Sequence, residues 1–104
     1  MAGYAWVLGV RPGYEDEYKK RHDEIWPEML AALKAAGISN YNIFRHGLEL
    51  FGYFETDDLE ATKAALRLSE ADKRWSEWMA PIMKTEIDPA TRYPYLLPKQ
   101  FYME

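Results

Sequence analysis

Between positions 14 and 33 the apolar residues recur every three or four positions. Tyr14, Tyr18, His22, Ile25, Trp26, Met29 and Leu33 share one stripe of a helix turning roughly 100° per residue, while Lys19, Lys20, Asp23, Glu24 and Glu28 lie mostly elsewhere. The pattern predicts a helix over 14–36, with Glu15, Asp16 and Glu17 in its first turn and Gly37 as its stop. Pro27 lacks an N–H and crowds the carbonyl of Asp23, so a bend or a one-turn break is predicted beside His22 and Trp26.

The pattern on either side reads differently. Residues 4–10, rich in aromatic and β-branched side chains and stopped by Arg11-Pro12-Gly13, predict a strand with two largely apolar faces. Residues 38–45 and 48–55 predict a hairpin, with His46-Gly47 at its tip and His46 as a solvated turn residue. Asp57 and Glu60 have capping-box spacing for a helix over 58–68, and Ser69 with Asp72 opens another that reaches Met79 before Pro81. Ala71, Trp75, Trp78, Met79 and Ile82 recur at helical spacing along it, a stripe that reads as core, Trp78 included, while Trp75, which follows Lys73-Arg74 near the helix start, stays open. The prolines between 84 and 98 predict an extended arm, and residues 100–103 can make a last short strand.

This order predicts an α+β fold, a ferredoxin-like βαββαβ protomer with an antiparallel sheet and its helices on one face. The opposite sheet face would remain apolar and uncovered. Pairing with a second copy covers it, which predicts a symmetric homodimer.

Composition narrows the chemistry. The 104 residues suit a single domain, 1–104, and 48% hydrophobic with 29% charged residues mark a globular chain. Aromatics reach 15%, an excess that fits a cleft wall or a subunit interface as well as a core. The net charge of −4, with no basic stripe, argues against nucleic acid as a partner. The chain has no cysteine, which excludes disulfides and thiolate chemistry. Neither a membrane-length apolar stretch nor a secretory leader pattern is present, so no membrane partner and a cytoplasmic location are expected. Phosphate-loop, dinucleotide-fold, zinc-protease and serine-elbow motifs are missing. Asp23 and Glu24 point away from His22 around the helix, so no metal site is expected.

One feature of the pattern carries candidate chemistry. His22 sits mid-stripe among aromatics, and histidine is the side chain whose ordinary pKa lies nearest neutrality, which suits proton transfer. A lone histidine on an apolar helix face also serves as a hydrogen-bonded core residue. Position alone leaves both roles open.

Tyr18-x-x-Arg21-His22-x-x-Ile25-Trp26-Pro27-Glu28, Gly37-x-x-Asn40-Tyr41-x-Ile43 and Arg74-Trp75 together resemble the L-rhamnose mutarotase family over nearly the whole chain. The resemblance implies a dimeric α/β barrel of ferredoxin-like protomers. It also implies interconversion of the α and β anomers of a 6-deoxy sugar, a monosaccharide substrate, without cofactor or metal. On this resemblance His22 is the catalytic acid/base, and Tyr18, Tyr41, Trp75, Trp26 and Ser76 belong to the substrate site. Many relatives carry a Trp-Trp pair where this chain has Trp75-Ser76, which leaves L-fucose or another hexose as alternative substrates. A monooxygenase of the same barrel architecture and a non-catalytic binding domain are the competing readings.

Overall fold

The computed structural model describes residues 2–85 and 94–104. In chain order the elements are β1 (Ala2–Gly9), α1 (Glu15–Asp23), α2 (Pro27–Ala35), β2 (Ser39–His46), β3 (Glu49–Thr56), α3 (Leu59–Arg67) and α4 (Glu70–Met79), followed by a 3₁₀ turn at Ala80–Ile82. The strands form an antiparallel sheet in the order β1-β3-β2. The fold is the α+β, ferredoxin-like arrangement that the hydrophobic pattern predicts. Trp6, Leu8, Leu50 and Phe54 from the sheet meet Tyr18, Leu66, Met79 and Ile82 in one core.

The predicted kinked helix is two helices. Proline restricts the residue before it to extended backbone, and Trp26 adopts φ −62°, ψ 138°. Pro27 then opens α2 in its first turn, where a missing N–H costs nothing. Gly37, at φ +88°, stops α2 with its N–H on the Lys34 carbonyl and the Ile38 N–H on the Leu33 carbonyl, a Schellman closure.

The hairpin turn is Gly47-Leu48, one position beyond the predicted tip, because His46 still pairs with Glu49. Asp58, rather than Asp57, caps α3 by accepting the Ala61 N–H, while Ser69 caps α4 by accepting the Asp72 N–H as its spacing predicts. A β-bulge between Ser39 and Asn42 adds one residue to β2 against β3. Asn40 absorbs it at φ +49°, in a left-handed conformation that asparagine tolerates, and its side-chain amide donates to the Glu55 carboxylate at 2.6 Å. From Ile43 the regular alternation puts Asn42, opposite Tyr53, on the open side and Tyr41, in ring contact with Trp6 and Phe54, toward the helices, while the extra residue shifts Ser39 out of that alternation.

The last strand expected over 100–103 is not formed. Chain pairing with the β1 edge occurs instead at Leu96, which bridges Trp6, and at Leu97, whose N–H donates to the Ala5 carbonyl at 2.7 Å. Pro94 and Pro98 flank this stretch and cannot donate to a ladder, which limits the pairing to the residues between them. The middle of the arm expected over 84–98 lies outside the described residues.

Candidate active site

The site is assembled where α1, the α1–α2 break and α4 meet above the sheet. Tyr18 and His22 are one helical turn apart, so their rings overlap, stacked at 4.2 Å between centroids with 27° between planes. His22 Nδ1 lies 3.0 Å from the Tyr18 carbonyl. A carbonyl only accepts, so Nδ1 carries the proton and the neutral ring has its lone pair on Nε2. From α4, Trp75 presents itself edge-on to the imidazole at 5.3 Å. Trp26 meets Trp75 edge-on at 5.2 Å, and stacks on Trp78 at 5.1 Å.

These neighbours decide the protonation states. Burial lowers the His22 pKa from its usual 6.5, outweighing the Tyr18 carbonyl and the nearby Asp23 carboxylate, both of which favour the imidazolium. At neutral pH the ring is therefore a neutral base. Burial raises the Tyr18 pKa, with the Tyr41 hydroxyl adding to the shift, so the two phenols are electrostatically coupled across the gap between α1 and the sheet. Tyr41 is part exposed at its ring, but its hydroxyl is enclosed and accepts the Trp6 indole N–H at 3.2 Å. Its pKa is pushed up to about 12, chiefly by desolvation and further by the buried Asp72 carboxylate, with the Trp6 bond opposing. Both tyrosines remain neutral hydrogen-bond donors at physiological pH.

Of the residues singled out in the sequence, His22, Tyr18, Trp75 and Trp26 are in one aromatic cluster, with Tyr41 within electrostatic reach of Tyr18. Ser76 is half-buried next to Trp75 on α4. Trp78, read from its spacing as core, is instead 39% exposed and belongs to this cluster, while Met79 and Ile82 occupy the core. Asp72 is a further residue that sequence reasoning treated only as a helix-start signal, although its position three before Trp75 marked it as sharing that face. Among the described residues no three histidine, cysteine, aspartate or glutamate side chains come together to hold a metal. An open hollow of about 220 Å³ lies apart from the cluster, lined by Ala35, Gly37, Asp57, Ala61 and Ala65 among others, and has no aromatic wall.

An imidazole base flanked by neutral phenols and indoles suits proton transfer on a small, partly apolar polyol. Comparison with known proteins gives the family of the chain. The L-rhamnose mutarotase family model matches residues 3–103. An L-rhamnose mutarotase from Oceanobacillus iheyensis is 44% identical over 90 residues, covering 85% of this chain and 86% of that protein. Another, from Ligilactobacillus salivarius, is 40% identical over 105 aligned positions, covering 94% of each. The crystal structure of an L-rhamnose mutarotase from Formosa agariphila superposes with a TM-score of 0.80 at 31% identity over the whole of both chains. The chain belongs to the L-rhamnose mutarotase family.

Proposed function

We propose that the chain interconverts the α and β pyranose anomers of L-rhamnose or a closely related 6-deoxy sugar, with His22 as the acid/base residue. The supporting observation is the Tyr18 carbonyl bond to Nδ1, which leaves Nε2 of a neutral ring as the proton acceptor. Nε2 takes the proton of the anomeric hydroxyl, the bond between C1 and the ring oxygen breaks, and that oxygen receives a proton from a tyrosine hydroxyl. Rotation about C1–C2 presents the other carbonyl face. The same transfers, run backwards, close the ring and restore both residues. Tyr41, kept protonated because desolvation raises its pKa, is the candidate donor to the ring oxygen.

Trp75 and Trp26 offer apolar surface to the C–H faces of the sugar. The exposed apolar sheet face supports a homodimer, as in the reading from sequence. His22→Asn tests the assignment by saturation-transfer NMR of anomer exchange across L-rhamnose, L-fucose and other aldoses. Exchange should fall by about 10²- to 10⁴-fold toward the uncatalysed rate. Undiminished exchange in a folded variant removes His22 from the mechanism.

A further inference from the structure

Arg21 precedes His22 on α1, and its side chain is only 16% exposed. A guanidinium that far from water needs partners, and it has them on two helices. Nε donates to the Glu17 carboxylate at 2.7 Å, one turn back on α1. Nη1 crosses to α4, donating to the Trp78 carbonyl at 2.8 Å and touching Met79 Sδ at 4.0 Å. The guanidinium carbon lies 4.2 Å from the centre of the Trp78 ring, in cation–π contact. Trp78, so held, also stacks on Trp26 and packs against Trp75.

We propose that Arg21 is a positioning residue for the mutarotase reaction: by clamping Trp78 it sets α1 against α4 and so fixes the imidazole of His22 relative to Trp75. The inference rests on the function proposed above. Its physical basis is the break at Pro27. Because α1 and α2 are separate helices, continuity of the helix does not fix the angle of α1; the buried Tyr18 anchors it to the core, and side-chain contacts with α4 set how it lies on that anchor. Among the described contacts, Arg21 meets Trp78 and His22 meets Trp75, rungs that begin at adjacent residues of α1 and at residues three apart on α4. The second is an edge contact between rings and is weak. The first joins a charge-assisted hydrogen bond to a cation–π contact on one guanidinium, a combination that lysine, a single ammonium, does not reproduce. Glu17 completes the device by holding the fork on the side where it reaches α4.

The test compares the intact protein with Arg21→Lys and Arg21→Met, and with Lys19→Ala, which removes only the exposed Lys19–Asp23 ion pair of the same helix. Two quantities are read in folded protein: the NMR shifts of the His22 ring protons, which the Trp75 and Tyr18 ring currents displace, and kcat against KM for anomer exchange. In both Arg21 variants the ring protons should move toward the positions of free histidine. kcat should fall by about tenfold to a hundredfold, the range expected when a reacting group is misplaced by about 1 Å, with KM little changed. Lys19→Ala should match the intact protein in all of these. Should Arg21→Met fail to fold, Arg21→Lys decides. Unmoved His22 shifts, or moved shifts with undiminished kcat, overturn the proposal. If the intact protein does not accelerate exchange, the mutarotase reading falls, and the ring shifts alone still decide whether Arg21 sets the geometry of His22.

Discussion

Two single residues show how much of the site depends on local space and local solvation. Gly52 lies opposite Trp6 in the ladder, and a Cβ at that position would run into the Trp6 indole, whose N–H holds the Tyr41 hydroxyl. Gly52→Ala must therefore displace the ring, and unfolding by urea should show a loss of about 1–3 kcal/mol. Unchanged stability would mean that the indole can move aside freely. His22 gives a pH signature whose sign follows from its lowered pKa. Below the ordinary histidine value of about 6.5 the unfolded chain takes up the proton first, so the contribution is complete above that pH and is lost as pH falls through the folded value. Stability between about pH 7 and pH 5 should thus decline more steeply in the intact protein than in His22→Asn. Parallel profiles would show that the ring is not desolvated. Residue type and spacing made His22 legible as a candidate, but its tautomer was not legible. That depends on an imidazole folding back onto a carbonyl of its own helix, a rotamer choice that no linear pattern encodes. Trp78 was misread for a related reason: spacing identifies a face of α4, but not which of its residues meet the core and which meet the rim.

At the scale of elements, the legible features were those where backbone chemistry is strict. Gly37 and Pro27 impose a stop and a break, and Ser69 caps its helix with the hydroxyl its spacing promised. The bulge at Asn40 was not legible, because left-handed backbone is only an option for asparagine. It is taken up here where the Glu55 carboxylate, itself held by the Tyr53 hydroxyl at 2.7 Å, accepts the amide. That one inserted residue puts Ser39 out of alternation with the rest of β2, opposite Glu55 on the open side. The helices are joined by an equally local device. Thr62, fully buried, donates its hydroxyl to the Ala36 carbonyl at the end of α2 at 2.7 Å, so the Thr56 hydroxyl, 2.7 Å away, must donate to Thr62. The relay links the end of β3, the start of α3 and the end of α2. Thr62→Val keeps the shape and removes its centre, leaving a buried hydroxyl and a buried carbonyl without their partner. It should cost about 1–3 kcal/mol, seen as a lower midpoint in thermal unfolding. A midpoint within error of the parent would show that water replaces the lost hydroxyl.

For the whole molecule, the decisive imbalance is between the two faces of the sheet. The helices cover one. On the other, Val7 and Phe44 flank Phe51 across three strands, with Tyr53 beside them, and Phe44 is 65% exposed. Phe101, Tyr102 and Met103 are also largely exposed, adding apolar surface at the chain end. Leu96 and Leu97 lie along the β1 edge, whereas β2 forms the other edge of the sheet. An aromatic row of this kind in water is unfavourable by roughly 25 cal/mol for each Å² that could be buried, and a second copy presents the same row by symmetry. The chain should therefore sediment as a dimer at micromolar concentration. Phe44→Glu places a charge at the most exposed end of the row, on the edge strand β2, without touching the core, so it should yield a folded monomer, with unchanged far-UV circular dichroism and half the mass by light scattering. A wild-type monomer, or a Phe44→Glu variant that still dimerises, would show that this face is not the one that pairs. If the monomer keeps full anomer exchange, each site is complete within one chain. If exchange is lost while the His22 ring shifts persist, the partner helps to enclose the sugar.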